Sequence, residues 1–287
     1  MAAKKRQVTG GVDTHGKTHH AAAIDHAGRV LGDQEFPATA AGYRLLLAWL
    51  RAFGRVVKVG VEGTGAYGAG LARHLTTCGI TVIEVDRPDR KTRRTKGKSD
   101  PIDALAAARA ALSGQASGVP KTRTGPVEAL RALRVARRGA VKARTAALNQ
   151  LHGLLTAAPE QLRVALAGFA GMSLVDRCAQ LALDEARLSD PVEATKAALA
   201  AIAVRIQALT TEITQANKRL RPVVTRTAPT LSALFGAGPE VTAQLLTTAG
   251  DNPHRLRSEA ALAHLCGVAP IPGRTDRHRL NRGGDRA

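Results

Sequence analysis

Aromatic side chains are scarce in this sequence: Phe, Trp and Tyr make up 2% of its 287 residues. That scarcity argues against a single-strand binder that stacks bases on aromatic platforms. Cysteine is scarce as well. Cys78, Cys178 and Cys266 stand far apart and form no ligand pair, so they are expected to be small buried side chains in a reducing cytosol. No apolar run approaches transmembrane length. The basic N-terminal stretch Met1–Gln7 leads into no apolar core of the signal-peptide kind, and no membrane partner is expected. Acidic residues are the last shortage. Against 42 Lys and Arg stand 23 Asp and Glu, a net charge of +19 and a pI near 11.0. So large an excess implies a polyanionic partner, with nucleic acid the default and Arg and Lys contacts to its backbone the expected mode.

Hydrophobic residues make up 44% of the chain, enough for two or three domains with cores of their own. Gln7–Val12 reads as a strand ending on Asp13. His19–Asp25 and Val30–Phe36 follow after short turns, which makes an antiparallel meander. Ala40–Phe53 has Tyr43, Leu46, Leu47 and Leu50 at helical spacing and stops at Gly54. Val56–Val61 is a strand ending on Glu62, Gly63–Cys78 holds a turn and a helix, and Ile80–Val85 is a strand. The basic run Arg87–Lys98 then carries seven Lys or Arg and one Asp, before a helix from Asp100 to about Leu112. The order βββ-α-β-α-β-α is that of ribonuclease H-like sheets.

In such a sheet the first and fourth strands can lie side by side, so Asp13 and Glu62 would meet at neighbouring strand ends. Asp100 and Asp103 share one face of the following helix, which can pack across that edge. Four carboxylates would then gather, a set suited to two divalent ions in phosphodiester chemistry. Asp-Pro-Ile-Asp also reads as a helix cap, with Asp100 at the N-cap and an acid at the third helical position. His15, His19 and His20 lie near Asp13; no further ligand completes a zinc site, and they read as polar strand residues or phosphate contacts. Gly63-Thr64-Gly65-Ala66-Tyr67-Gly68 matches a dinucleotide fingerprint. Against that reading, Glu62 abuts the first glycine, where it would repel pyrophosphate, and a meander precedes the unit.

Gly114–Thr124 is a linker. Pro126–Leu155 reads as a long helix bearing Arg131, Arg134, Arg137, Arg138, Lys142 and Arg144. Short helices follow over Pro159–Ser189, and a second long helix over Pro191–Leu220 with apolar steps of three and four. The two long helices are expected to pair as an antiparallel hairpin, within one subunit or also between subunits. Pro222–Pro229 reads as a second linker. Leu234-Phe235-Gly236-Ala237-Gly238-Pro239 lies between two helices and looks like a helix-hairpin-helix, in which Gly236 and Gly238 would open backbone N–H groups to phosphate. The expected nucleic-acid contacts are Arg90, Lys91, Arg93, Arg94, Lys96, Lys98, Arg134, Arg137, Arg138, Gly236 and Gly238.

Three blocks, Gly11-Val12-Asp13-Thr14-His15, Glu62-Gly63-Thr64-Gly65 and Gly97-Lys98-Ser99-Asp100-Pro101-Ile102-Asp103-Ala104, resemble those of the DEDD insertion-sequence transposases. That is the "one-ten" group, related to the pilin invertase and to RuvC-type junction resolvases. Gly236–Pro239 and Cys266–Pro270 resemble its second domain. The resemblance implies a metal tetrad of Asp13, Glu62, Asp100 and Asp103 loaded with Mg²⁺ or Mn²⁺. It implies a homo-oligomer, dimer or tetramer, acting on DNA in the bacterial cytoplasm at the nucleoid, with a structured bridge RNA as guide. The fold class expected is α/β plus α. Residues 1–118 form a RuvC-like domain with a mixed sheet, 119–225 a long-helix, coiled-coil region, and 226–287 an incomplete C-terminal helical domain with the helix-hairpin-helix-like motif. The family carries a serine shortly after the Ala-Pro turn, thought to attack DNA. Here Ile271-Pro272 runs directly into Gly273-Arg274-Thr275, and Ser258 is the last serine. The serine loop and the C-terminal end are expected to be missing, and Thr275 is a poor substitute. Three readings remain: a metal-dependent recombinase, a nucleic-acid-binding remnant or accessory protein without that activity, and a dinucleotide-dependent enzyme.

Overall fold

The computed structural model describes residues 6–85, 99–252, 254 and 256–269. The basic run with Arg90, Lys91, Arg93, Arg94, Lys96 and Lys98, and the segment from Pro270 through Thr275 to the end, lie outside the described residues.

Strands β1 (Gln7–Thr14), β2 (Thr18–Asp25), β3 (Val30–Pro37), β4 (Arg55–Glu62) and β5 (Thr81–Val85) form one sheet. Their order is β3-β2-β1-β4-β5. β1 runs antiparallel to β2 and parallel to β4, and β4 runs parallel to β5. Each parallel step needs a crossover; α1 (Ala40–Ala52) and α2 (Ala69–Thr77) supply them. Thr39 caps α1, its hydroxyl accepting from the Gly42 amide at 3.1 Å.

The two sheet faces separate by the period-2 alternation of strand side chains. Val8 and Val12 of β1, Ala21 and Ala23 of β2, and Val59 and Val61 of β4 turn to one face, where Leu46, Leu50, Leu71 and Leu75 complete the core. Gly11 and Gly60, partners across β1 and β4, turn to the other. There the helix α3 (Asp100–Ser113) lies directly on the strands with Ala104, Ala107, Ala108 and Ala111 buried. A Cβ on Gly11 would stand 2.1 Å from the Ala108 amide nitrogen, and one on Gly60 would stand 2.5 Å from the Ala107 carbonyl oxygen. Only glycine admits backbone this close.

The rest is helical. α4 (Pro126–Thr156), α5 (Glu160–Leu166), α6 (Gly171–Ala179) and α7 (Pro191–Thr227) share a core of Leu151, Leu166, Leu174, Val175, Leu199 and Ile206. At the other end Leu130 of α4 meets Leu220 and Val224 of α7. The two long helices therefore run antiparallel within one chain. The expected linker at Pro222 is corrected: Pro222 sits inside α7, which continues to Thr227. Pro removes one helical hydrogen bond, but Val224 is buried against Leu130 and Ala243, and that packing outweighs the local preference. α7 also contains a stretch long and apolar enough to cross a membrane by composition, contrary to the expectation of none. Its Leu199, Ala203 and Ile206 are buried in the helical core instead.

α8 (Pro229–Ser232) is a single turn, and α9 (Pro239–Ala249) and α10 (Glu259–Cys266) end the described chain. α9 is tied to the start of α4. Asp251 accepts from the Val127 amide at 2.9 Å, Lys121 donates to the Thr247 carbonyl at 2.6 Å, and Asn252 donates to the Pro120 carbonyl at 3.0 Å. At the centre is Arg134. Its guanidinium donates to Glu240 at 2.9 Å and Thr247 at 2.9 Å, and also to Gln244. Arg134 is 6% exposed, so its removal strands buried acceptors. Arg134→Ala is expected to cost about 2 kcal/mol, because Glu240 is partly solvated and keeps Arg137. Arg138→Ala should stay within about 0.5 kcal/mol. Urea denaturation of both variants checks this; equal midpoints would mean the Arg134 network contributes nothing.

Candidate metal centre and basic groove

Asp13 is the next residue after Gly11 on the α3 side of β1, and Glu62 the next after Gly60 on that side of β4. Val12 pairs with Val61, so the two acids end adjacent parallel strands, as the sequence order implies. The Thr14 hydroxyl donates to the Glu62 carbonyl at 2.9 Å and ties those strand ends together. The helix α3 brings Asp100 and Asp103 to the same edge. Ser99, not Asp100, is the N-cap residue, and it makes no side-chain cap. Asp100 is the first helical residue, so the capping-box reading is corrected. Its carboxylate, released from the backbone, lies with Asp13 and His15: one ligand atom from each falls within 4.8 Å of the others.

The charges respond to this crowding. Burial raises the Asp13 carboxyl above its ordinary pKa; His15 pulls it down, while Asp103 and Asp100 push it up. Asp13 and Asp103 are 7% and 3% exposed. Buried carboxylates that repel one another, with oxygen as the main donor, fit a hard divalent cation.

The three histidines part company. His15 stands 3.7 Å from Asp13, Nδ1 to Oδ2. His19 is buried on the opposite face, stacked on Tyr43 with ring centroids 5.6 Å apart, and burial lowers its pKa. His20 pairs with Asp33 across β2 and β3 at 2.7 Å. Sequence proximity makes them look like one cluster; strand alternation puts His19 on the other face, while His20, opposite Asp13 in register, is engaged by Asp33.

Arg134, expected to face phosphate, is turned inward by the network described above. Arg137 borders a groove with Lys218, Arg221, Gly236 and Gly238, although it also donates to Asn217 at 2.6 Å. Gly238 is the N-cap residue of α9. Arg138 is exposed on α4. Lys218 and Arg221 were not singled out from sequence. Their only signal is a place one helical turn apart on α7, and the groove exists only because α7 passes the turn before α9.

A mixed sheet in this strand order, with acids ending two adjacent parallel strands and a helix laid over them, is consistent with a ribonuclease H-like fold. Residues 10–158 match the family model of DEDD transposases of the IS110 type, and residues 228–287 match that of transposases of the IS116/IS110/IS902 family. The chain belongs to this transposase family and is a DNA-acting transposase enzyme. The family uses divalent metal, and Asp13, His15 and Asp100 supply an acidic cluster here. No curated protein matches the chain. The dinucleotide reading of Gly63–Gly68 gains no support from family or fold.

Proposed function

We propose that the chain is a metal-dependent DNA strand-cleaving and strand-transferring transposase in which Asp13, Glu62, Asp100 and Asp103 hold Mg²⁺ or Mn²⁺. The observation that carries this is the convergence of two strand ends and one helix start, with the Asp13 carboxyl raised by burial and by Asp103 and Asp100. A divalent ion there would stabilise charge on a phosphodiester and activate the attacking oxygen. The protein's own part is positional. Gly11 and Gly60 admit α3, whose first turn carries Asp100 to within ligand distance of Asp13.

The groove of Arg137, Lys218, Arg221, Gly236 and Gly238, together with Arg138 and the basic run Arg87–Lys98, is the proposed nucleic-acid surface. The bends at Gly236 and Gly238 serve as a helix-hairpin-helix-like phosphate contact. Guidance by a structured RNA, assembly as a homo-oligomer with coiled-coil pairing of the long helices, and action at the nucleoid complete the proposal. The three-part division at about 118 and 225 is part of it.

After the Ala269-Pro270 turn, where the resemblance would put an attacking serine, the sequence reads Ile271-Pro272-Gly273-Arg274-Thr275. The expected result with labelled DNA is binding and Mn²⁺- or Mg²⁺-dependent nicking by water, with no adduct that survives denaturant. A denaturant-resistant adduct lost in Thr275→Ala would overturn the second half of that expectation. Absence of binding and nicking together would sink the proposal.

A further inference from the structure

We propose that His15 is a nitrogen ligand of the acidic centre and gives that centre a preference for Mn²⁺ over Mg²⁺. This rests on the metal reading above and adds to it a selectivity that the four carboxylates alone would not supply.

The imidazole belongs to the geometry of the site. One ligand atom each from Asp13, His15 and Asp100 lie within 4.8 Å of one another. Atoms bound to one ion at about 2.1 Å can stand no more than about 4.2 Å apart. Each separation is at most 4.8 Å, so side-chain rotation can bring the three atoms onto one ion. The His15 amide donates to the Thr18 carbonyl at 3.0 Å, closing the turn between β1 and β2 and holding the residue at the sheet edge. The side chain is 43% exposed, so the ring can turn toward an ion without unpacking anything. Neither neighbouring histidine can substitute: His19 is buried against Tyr43 on the other face, and Asp33 holds His20.

The chemistry follows from the donor. Mg²⁺ favours oxygen, and gives up its waters reluctantly. First-row transition ions accept imidazole nitrogen, with affinities rising from Mn²⁺ along the series. A site with one nitrogen among carboxylates separates the two ions where an all-oxygen site separates them less. A competing role for His15 is that of a cation paired with Asp13. The two roles have opposite signatures. A positive charge beside the site opposes every divalent ion, so removing it would strengthen Mn²⁺ and Mg²⁺ binding alike. Removing a ligand weakens Mn²⁺ selectively.

The test is calorimetric titration of the full chain with Mn²⁺ and with Mg²⁺ for wild type and His15→Ala. Pulsed electron paramagnetic resonance of the Mn²⁺-loaded proteins accompanies it. The expected result is a fall of about tenfold or more in the ratio of Mn²⁺ to Mg²⁺ affinity in His15→Ala. Mg²⁺ affinity should change by less than about twofold, and an imidazole-nitrogen modulation should be present in wild type and absent in the variant. An unchanged ratio without a nitrogen signal, or an equal gain for both ions, overturns the assignment and leaves the carboxylate site standing. A wild-type chain that binds neither ion overturns the metal reading and this one with it.

Discussion

Asp13→Asn is expected to abolish binding of Mn²⁺ and Mg²⁺ and, in the metal-free protein at neutral pH, to raise the melting temperature. The two effects have one origin. The Asp13 carboxyl is raised by burial and by Asp103 and Asp100, so its charged form is disfavoured in the folded chain. With the folded pKa above the unfolded one, the cost is fully present above the folded pKa and fades as pH falls through it. The advantage of Asn should thus be largest at neutral pH and vanish by about pH 4. A rise of roughly 2–4 °C corresponds to about 1 kcal/mol at this chain length. Added Mn²⁺ reverses the order. An ion at a hundred times its dissociation constant stabilises the wild type by about 2.7 kcal/mol and should leave the variant unmoved. Thermal scans with and without metal over a pH series decide it. A metal-induced shift of the same size in both proteins would mean that Asp13 is no ligand.

Gly11→Ala is the second large effect. The added carbon would meet the backbone of Ala108 and Ala104 at 2.1 and 2.2 Å, so α3 has to lift off the sheet. The expected cost is about 3 kcal/mol, the upper end of ordinary overpacking. Because Asp100 and Asp103 ride on α3, metal affinity should fall even where the variant stays folded. Gly10→Ala is the control. Its carbon would face the Leu50 and Val59 side chains at 3.0 and 3.2 Å, and side chains can yield where backbone cannot. It should cost less than about 1.5 kcal/mol and leave metal binding unchanged. Equal behaviour of the two variants in urea denaturation and metal titration would show that close approach of α3 is not required.

These two sites mark how far the sequence can be read. The strands ending on Asp13 and Glu62 were legible because apolar alternation and turn residues act over a few positions. Their adjacency followed from strand order, since three antiparallel strands and two helical crossovers leave few topologies. The helix start at Asp100 was legible too, from Pro101. Its cap was not: Asp and Ser both serve as caps, and the backbone at Ser99 settles the choice one residue early.

Four features were decided only by packing between segments far apart in sequence. Pro222 stays helical because Leu220 and Val224 bury against Leu130 and Ala243. Arg134 turns inward because Glu240, Gln244 and Thr247 arrive more than a hundred residues later to meet it. His15 separates from His19 because successive strand positions face opposite sides, and from His20 because Asp33 of β3 holds that ring. The groove at Gly236 and Gly238 acquires Arg137, Lys218 and Arg221 from two other helices. Hydrophobic period, turn chemistry and charge excess are local or summed properties, so the sequence alone determined most of the elements, the positions of the acids at strand ends and a helix start, and the polyanionic partner. The direction in which a polar side chain points depends on which neighbours desolvate it and which groups answer its hydrogen bonds, and those neighbours are supplied by the tertiary structure alone.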